Sequence, residues 1–569
     1  MRYSEWNIGG FDRDAAVRFC RVGINPLVAV FLAARGIGSI DGARALMGGG
    51  ADAICDPFRL ADMDKAVSRI YAAIDGGEHI AVYGDYDVDG MTSCAIMSLW
   101  LGSKGADFEI YIPSRLGEGY GLNCPALKTL KSRGAGLVIT VDCGATAIAE
   151  ARYARELGLG LVITDHHECK DELPVADAVV DPKRHDCPYP NKALAGVGVT
   201  FKLVCALEGD CLSDEMFRKY GDLVAIGTIA DVMPLLGENR EMIRRGLRVL
   251  NYAPRVGLRS LMSEHYIDGK RINTATVGFV LAPRLNAAGR MGRTELSVKL
   301  LLTSDEAEAE RLTAELMHLT SERRRIETEM FGEAESMMPE TAPDGPIVLA
   351  RRHWFQGVTG IVAAKMAERY LVPAIIISID DEGVGHGSCR SIGSFGIHGA
   401  LRSCEELLVN YGGHDMASGL TIAEGNVDEF RRRINQYYHE RVGAARIPGF
   451  CLDFEVEKPE LLTIRNVEAL ADLEPFGSGN PPPCLCIREA ALSSVFSIGD
   501  GKHTRFKIEK SGRMFDCIFF AMPTEEFGFS EDMTVDVAFE PQINEFRGRS
   551  SVQLMVFDVR ESKDYGRDY

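Results

Sequence analysis

Short apolar runs that alternate with helix-like segments constrain this chain more than any other feature of its sequence. Such runs begin near Ile80 and lie at 80–84, 108–112, 137–141, 161–164 and 178–180. Short buried strands with intervening helices are typical of a doubly wound, mostly parallel sheet. We therefore expect an α/β domain with a functional site beyond the carboxyl ends of its strands.

The rest of the sequence favours a modular chain. We expect an N-terminal helical segment at 1–55, the α/β domain at 56–303, and a long linking helix at 304–340. A second α/β domain is predicted at 341–447, and the alternating short runs of 448–569 favour a small β-barrel. For the run Arg323-Arg324-Arg325 in the linking helix, a solvated face is the default and a nucleic-acid groove the alternative.

Composition excludes several classes of protein. The formal net charge of −19 argues against a protein that coats nucleic acid or binds anionic membranes, although it leaves room for a local basic groove. No segment approaches the ~20 apolar residues of a membrane span, and the N-terminus lacks a signal peptide. The 15 cysteines, with no CxxC, indicate reduced thiols and hence a cytoplasmic location without a membrane partner.

Carboxylates and histidines follow several of the predicted strands. A single aspartate at a strand end is often a helix N-cap, and the first acidic cluster also resembles a solvated turn or a calcium loop. A calcium loop would need an acidic ligand where Ile96 stands, and the joint occurrence of these groups is hard to explain as capping. Oxygen ligands with one or two imidazoles suit Mn²⁺ or Mg²⁺, and a pair of ions suits phosphoryl hydrolysis. The groups concerned are Asp85, Asp87, Asp89, Asp142, Asp165, His166, His167 and Asp231.

The order of these motifs resembles the DHH phosphoesterase superfamily. The motifs are DYDVDG at 85–90, VDCG at 141–144, DHH at 165–167 and ADVMPL at 230–235. The stretch GGHDMASGL at 412–420 is similar to the GGH motif of the associated DHHA1 domain.

Further stretches narrow the resemblance to the RecJ family, which are exonucleases specific for single-stranded DNA. The stretches are YIPSR at 111–115, APRLNAAGR at 282–290, Trp354 with GVTGIV at 357–362, GSCRS at 387–391 and EPFGSGNP at 474–481. The resemblance runs from about Asp56 to the C-terminal β-domain, which is most of the chain.

The resemblance implies a set of site residues. Two divalent ions, Mn²⁺ first and Mg²⁺ second, would be held by Asp85, Asp87, Asp89, Asp142, His166 and Asp231. His167 would contact the scissile phosphate and act in catalysis together with Asp142. A 5′ phosphate would be held by Arg115, Ser388 and Arg390. The path of the strand would be lined by Asn286, Arg290, Gly412, Gly413 and His414.

The C-terminal barrel resembles an OB-fold. The aromatic residues Phe506, Phe515, Phe519 and Phe520 are candidates for stacking on bases, with filling of the barrel core as the alternative for most of them. Basic side chains at Lys502, His503 and Arg505 would follow the phosphate backbone.

The resemblance implies a 5′→3′ exonuclease that releases 5′-mononucleotides from single-stranded DNA during recombination and repair. It brings a single-stranded-DNA-binding protein and a RecQ-type helicase into consideration as partners. An oligonucleotide or cyclic-dinucleotide phosphodiesterase of the same superfamily is the alternative, and a DNA-binding scaffold without catalysis is a third hypothesis.

Overall fold

The computed structural model of the protein describes residues 5–48, 54–115, 117–119, 121–210, 213–252, 254–264, 271–339, 341, 343–393, 395–442, 449–546 and 548–562. The chain divides into two compact units. One unit combines the two ends of the chain, residues 1–50 and 446–569, and the other contains residues 51–445.

The N-terminal segment is mainly helical. Its elements are β1 (Trp6–Ile8), α1 (Arg13–Arg21), α2 (Pro26–Ala34) and α3 (Ile40–Gly48). Asn25 begins α2 because its side chain accepts a hydrogen bond from the Leu27 N–H and Pro26 fixes the first turn.

The first α/β domain follows the predicted alternation of strands and helices. Its elements are α4 (Met63–Asp75), β2 (His79–Gly84), α5 (Val88–Ser103), β3 (Phe108–Tyr111), α6 (Cys124–Ser132), β4 (Ala135–Val141), α7 (Ile148–Glu156), β5 (Gly160–Thr164), β6 (Ala178–Val180), α8 (Gly196–Glu208), α9 (Asp214–Ala230), α10 (Gly237–Tyr252), α11 (Val256–Ser263), α12 (Thr274–Thr276), α13 (Ala282–Arg290), α14 (Thr294–Leu302) and α15 (Glu306–Ser336).

The strands of this domain form one five-stranded parallel sheet in the order β3-β2-β4-β5-β6. The direction of winding reverses at β2, which lies between β3 and β4, so the sheet has a switch point beside β2. Apolar clusters cover both faces. Strands β2, β4, β5 and β6 are buried along most of their length, whereas the edge strand β3 is half-buried. The α/β fold class predicted from the sequence is confirmed.

The long helix α15 spans 31 residues, and the side chain of Asp305 caps its first turn by accepting from the Glu308 N–H. The default expectation was that the arginine run at 323–325 lies in solvent, but only part of it does. Arg324 and Arg325 are exposed, but Arg323 is only 8% exposed and its Nε has no hydrogen-bond partner among the residues described. The solvated interpretation is therefore wrong for Arg323, because the sequence does not reveal which helix face packs inward.

The second α/β domain has a mixed sheet. Its elements are β7 (Ile347–Arg352), α16 (Thr359–Tyr370), β8 (Ala374–Ile379), β9 (Val384–Arg390), α17 (Ile397–Arg402), β10 (Leu408–Gly413), β11 (Ala417–Ala423) and α18 (Val427–Val442). The strand order is β10-β11-β9-β8-β7, with only β7 and β8 parallel. The antiparallel pairing of β9 with β11 sets residues 388 and 390 beside the tip that contains residues 412–414.

The C-terminal segment forms a closed β-barrel. Its elements are β12 (Phe450–Leu452), β13 (Phe454–Glu455), α19 (Ile464–Glu468), β14 (Leu485–Ile498), β15 (His503–Lys510), β16 (Arg513–Phe519), α20 (Thr524–Phe527), β17 (Thr534–Phe546) and β18 (Arg549–Glu561). The barrel closes because β14 pairs with both β15 and β17. This confirms the predicted OB-like architecture.

Most of the aromatic residues considered for base stacking fill the barrel core. Phe506, Phe515 and Phe519 are 0%, 4% and 2% exposed, so stacking is wrong for these three and the core alternative is confirmed. Phe520 is 50% exposed. Phe496, which is not among the sequence candidates, is 51% exposed. The alternation of apolar and polar residues along a strand separates the residues of its two faces. It does not show which of the two faces lies on the outside of the barrel.

The N-terminal segment completes the barrel unit instead of standing apart. Strand β1 pairs in parallel with β12, and the Trp6 indole N–H donates to Asp558 Oδ2 at 3.0 Å. The guanidinium of Arg35 binds both carboxylate oxygens of Asp453 at 2.9 and 3.2 Å and donates to Asn480 Oδ1 at 3.1 Å. Asn480 lies in the EPFGSGNP stretch, so this sequence motif has a structural role in joining the two ends of the chain.

Among the residues described, no helix has the length and apolar character that crossing a membrane requires.

We expect the substitution Arg35→Lys to lower the free energy of unfolding of the barrel unit by about 2 kcal/mol, because it removes the forked contact with a half-buried carboxylate. Urea unfolding followed by circular dichroism measures this. Arg13→Lys is the control, since Arg13 is exposed and lies 4.0 Å from Glu457; its effect should stay within about 0.5 kcal/mol. Equal effects of the two substitutions would contradict the role given to Arg35.

Candidate active site

The candidate site lies at the carboxyl ends of β2, β4 and β5. Because β4 pairs with both β2 and β5 in parallel, the residues that follow these three strands meet at one edge of the sheet. Asp85 follows β2, Asp142 follows β4, and Asp165 and His166 follow β5. All four are buried.

His166 is the centre of one group of acidic side chains. Its Nε2 lies 3.2 Å from Asp142 Oδ1, 3.5 Å from Asp231 Oδ2 and 3.9 Å from Asp89 Oδ2. Asp231 reaches the site from the C-terminal end of α9, where it caps the helix. Ligand atoms of Asp89, His166 and Asp231 all lie within 4.8 Å of one another, which is close enough to share one cation.

A second group forms from Asp85, Asp87 and Asp142, whose ligand atoms also lie within 4.8 Å of one another. Asp87 is in addition the N-cap of α5, since its Oδ1 accepts from the N–H groups of Asp89 and Gly90. Asp142 has a φ of +64°, a left-handed conformation that aspartate tolerates better than most residues. Capping and a role in the site are thus combined in Asp87 and are not alternatives.

The backbone of α8 holds Asp89 in place. Asp89 Oδ2 accepts from the Gly196 N–H at 2.7 Å and Oδ1 from the Val197 N–H at 2.8 Å, at the positive end of the helix. A Cβ atom at position 196 would lie 2.3 Å from Asp142 Oδ1. Glycine is therefore required here so that the helix end can approach two carboxylates at once.

The acidic groups repel one another strongly. Burial and the charge of Asp87 raise the pKa of Asp89 to about 7, and burial with the charges of Asp89 and Asp87 raises the pKa of Asp231 to about 9. The pKa values of Asp85 and Asp142 are raised well above their usual range for the same two reasons. Asp85 Oδ1, Asp142 Oδ1 and Asp231 Oδ2 have no hydrogen-bond partner among the residues described. Buried carboxylates of this kind need a cation.

The two histidines of the DHH motif differ in charge. Burial and the neighbouring charge of His167 lower the pKa of His166 to about 3, which leaves it neutral, as a metal ligand must be. Burial would also lower the pKa of His167, but the hydrogen bond and charge of Asp165 raise it to about 9. Asp165 Oδ1 lies 2.7 Å from His167 Nδ1 and accepts from the backbone N–H of His166. Asp165 therefore orients a cationic imidazole.

The tip of the second α/β domain reaches the same histidine. The rings of His167 and His414 are stacked with centroids 6.4 Å apart and planes 9° apart. Gly413 has a φ of +127°, and a Cβ there would lie 2.6 Å from the Ala417 carbonyl oxygen. Gly412, Gly413 and His414 are exposed, so this tip can meet a ligand at the candidate site.

A polar pocket forms where β9 meets the first turn of α16. Ser388 Oγ lies 3.0 Å from Thr359 Oγ1, and a Cβ at Gly360 would lie 2.9 Å from Arg390 Nη2. The N-terminus of a helix attracts anions, and here a hydroxyl pair and a guanidinium surround it. The position between these groups is suited to an anion such as a phosphate group.

Arginines gather between this pocket and the acidic groups. Burial and the charges of Arg115, Arg323 and Arg390 lower the pKa of Arg290 to about 9, and burial with the charge of Arg115 lowers the pKa of Arg390. Arg290 Nη1 donates to the Gly357 carbonyl at 3.1 Å, and the Arg115 guanidinium lies 4.8 Å from the centre of the Tyr86 ring. Cations that repel one another at a common position favour an anionic ligand.

Helix α13 links the two regions. Asn286 Oδ1 accepts from the Val88 N–H at 3.1 Å, at the start of the helix that follows the acidic loop, and Arg290 ends the same helix α13. A Cβ at Gly289 would lie 2.3 Å from the Tyr86 carbonyl oxygen, so the AAGR stretch packs closely against that loop.

The structure brings the predicted site residues into two neighbouring regions, one acidic and one basic. Sequence reasoning missed Asp165 as an orienting residue, Thr359 beside Ser388, and Gly196 beside Asp142. The first two lie inside motifs that were recognised, so their positions were available as a signal. Gly196 carries no such signal, because its role depends on a contact between distant segments.

Three family models match separate parts of the chain. The family model described as the DHH family, N-terminal domain, matches residues 79–228, the DHHA1 domain matches 344–440, and the RecJ OB domain matches 452–558.

Relatives and solved structures are similar over nearly the whole chain. The single-stranded-DNA-specific exonuclease RecJ of Bacillus subtilis (strain 168) is 40% identical over 563 residues, which cover 98% of this chain and 71% of the relative. The crystal structure of RecJ in complex with Mn²⁺ from Thermus thermophilus has a TM-score of 0.82 and 30% identity, over 98% of this chain and 80% of that one. The corresponding structure with Mg²⁺ has a TM-score of 0.77 and 29% identity, over 98% and 79%. The chain therefore belongs to the RecJ family of single-stranded-DNA-specific exonucleases.

Proposed function

We propose that this protein is a metal-dependent exonuclease that degrades single-stranded DNA from the 5′ end and releases 5′-mononucleotides, in DNA repair and recombination. One observation carries the proposal. The six predicted metal ligands gather in two groups, Asp89 with His166 and Asp231, and Asp85 with Asp87 and Asp142. A third, overlapping group joins Asp142 and His166 to Asp165 and His167. The arginine and hydroxyl pocket beside them supports the direction of degradation.

The residues present fit two divalent cations. Five carboxylates and one neutral imidazole are donors that Mn²⁺ and Mg²⁺ accept, and their unpaired oxygens and raised pKa values indicate missing positive charge. When bound, a pair of such ions supplies a nucleophile at neutral pH and offsets negative charge on the phosphoryl group. Mn²⁺ is the first choice and Mg²⁺ the second, supported by the two Thermus thermophilus structures.

His167 is suited to contact the scissile phosphate. Its raised pKa keeps the ring protonated at neutral pH, and Asp165 at Nδ1 leaves Nε2 as the donor toward a substrate oxygen. A positively charged donor held in a fixed direction stabilises charge that develops on the phosphoryl group. The nearby His414 would then contact the same strand one step further on.

The basic pocket supports the proposed 5′ polarity. We assign the terminal phosphate to Arg115, Ser388 and Arg390, with Thr359 and the first turn of α16 completing the pocket. Cleavage of the bond between phosphorus and the 3′ oxygen of the first nucleotide leaves a new 5′ phosphate on the shortened strand. That phosphate can enter the same pocket, which would allow repeated cycles on one strand.

The alternative of an oligonucleotide or cyclic-dinucleotide phosphodiesterase is not favoured, since the RecJ likeness extends through the C-terminal barrel. Binding of a further stretch of DNA along the barrel, near Lys502, His503, Arg505 and Phe520, is part of the proposal. Association with a single-stranded-DNA-binding protein or a RecQ-type helicase, and a cytoplasmic location, stay predictions from the resemblance.

We expect the purified protein with Mn²⁺ to convert a 5′-labelled single strand to labelled mononucleotides from the earliest time points and to spare blunt duplex. A 3′-labelled strand should instead shorten gradually. Electrophoresis of both substrates, with and without a chelator, measures this. Release of the 3′ label first, or cleavage that persists in the chelator, would contradict the proposal.

We expect Asp142→Asn to reduce cleavage by about a thousandfold or more. Asp142 belongs to the group with Asp85 and Asp87 and lies 3.2 Å from His166 of the other group, so its charge would be lost beside both. The same change removes a repelling charge, so without metal it should raise the melting temperature at pH 8, while the stabilisation by Mn²⁺ should shrink. Differential scanning calorimetry gives both values. Asp107→Asn is the control, since Asp107 is exposed at the opposite end of the sheet strands and pairs with His79. If Mn²⁺ stabilised Asp142→Asn as much as the parent protein, the assignment of Asp142 as a metal ligand would be refuted.

We expect Arg390→Lys to raise the KM for a 5′-phosphorylated strand by about tenfold, since a lysine retains the charge but not the forked donors. The KM for a 5′-hydroxyl strand should change little. The preference for a 5′-phosphorylated strand over a 5′-hydroxyl strand should therefore become smaller. Steady-state kinetics on both substrates tests this against Arg402→Lys, an exposed residue of the same domain. An unchanged preference would exclude Arg390 from the end pocket.

A further inference from the structure

An exposed phenylalanine lies on the segment that leads into the candidate site. Phe279 is 81% exposed and sits in the π-helical turn Val277–Leu281, which runs directly into α13. Single exposed apolar residues are common on protein surfaces, so the exposure alone means little. A π turn within a helix, however, is frequent at functional sites.

The accessible face of this segment continues from Phe279 to the site. Pro283, Asn286 and Arg290 are partly exposed, whereas the residues between them, 284, 285 and 287–289, are buried. The spacing of the accessible positions is that of one helix face. Phe279 and Asn286 are thus about 10 Å apart along the same face, at a rise of about 1.5 Å per residue.

A second exposed apolar residue stands on the neighbouring element. Val232 directly follows Asp231, is 68% exposed and has a φ of +58°, a conformation that costs energy for a β-branched residue. The Val232 N–H bonds back to the Ile229 carbonyl, and Ile229 Cγ2 would lie 3.8 Å from a Cβ at Gly278. The turn that exposes Val232 therefore packs beside the turn that exposes Phe279.

Arginines lie next to this apolar surface. Arg284 bonds to the carbonyl of Val280, and burial together with the charges of Arg324 and Arg323 lowers its pKa. Arg324 is exposed. Arg284 and Arg323 are buried, so Arg324 is the one of these three cations that a ligand can reach. Proteins bind single-stranded nucleic acid with an aromatic surface beside cations, with bases on the rings and phosphates on the cations.

We propose that Phe279 stacks on a nucleobase of the incoming single strand, with Val232 against the same stretch and the phosphates directed to the exposed Arg324. The occupant is single-stranded DNA because the face is continuous with Asn286 and Arg290 and because its neighbours are cationic. This inference rests on the proposed function and adds to it a base-contacting position beyond the scissile phosphate. Duplex DNA cannot offer an unstacked base there, so Phe279 also contributes to strand selectivity.

Phe279→Ala should weaken binding of a long single-stranded oligonucleotide about tenfold and raise the KM for its degradation, since one base–aromatic contact is lost. Hydrolysis of a 5′-phosphorylated dinucleotide, which is too short to reach Phe279, should keep its rate. Phe279→Trp should retain the parent affinity. Tyr252→Ala is the matched control, because Tyr252 is an 85% exposed aromatic residue outside this face.

The fluorescence of 2-aminopurine, placed at successive positions of the bound strand in Ca²⁺ buffer, reports stacking directly. One position should be quenched in the parent and bright in Phe279→Ala. If all positions respond equally in the two proteins, or if Phe279→Ala and Tyr252→Ala have the same affinity as the parent, the inference is overturned. A parent protein that neither binds nor cleaves single strands would instead refute the proposed function.

Discussion

Mutual repulsion among buried carboxylates is the constraint on which the rest of the site depends. Five aspartates that follow β2 and β4, begin α5 or end α9 converge at one edge of a parallel sheet. Three of them, Asp85, Asp89 and Asp142, are buried, so little water separates their charges. Backbone N–H groups offset part of this repulsion, as at the start of α8, where they donate to Asp89. The carboxylate of Asp165 is instead paired with the imidazole of His167. The carboxylate oxygens that have no hydrogen-bond partner among the residues described mark the positions suited to cations.

The basic region is the counterpart of this arrangement. Arg115, Arg290 and Arg390 repel one another as the aspartates do, so each region is incomplete without a partner of the opposite sign. A nucleic acid strand with metal ions supplies both at once. The net charge of −19 therefore describes the surface as a whole and not the site, where the cations lie close together.

The strands, the fold class and the acidic motifs could be read from the sequence because each depends on residues that are neighbours in the chain. A buried strand followed by Asp85 or Asp142 keeps that signature wherever the strand is placed in the sheet. Burial of Arg323, Phe506 and Phe519 could not be read, since it depends on which face of an element meets a distant segment. The contacts of Gly196 with Asp142 and of Arg35 with Asp453 escaped for the same reason.

The pairing of β1 with β12 has a consequence for how the molecule is made. The ribosome produces residues 51–445 before the barrel strands, so the catalytic unit can fold while synthesis continues. The apolar helix α2, whose Phe31 is fully buried in the finished unit, emerges before both and has no barrel to cover it until the last strands appear. This early segment is thus among the last to fold, and during that interval it exposes an apolar surface of the kind that chaperones bind.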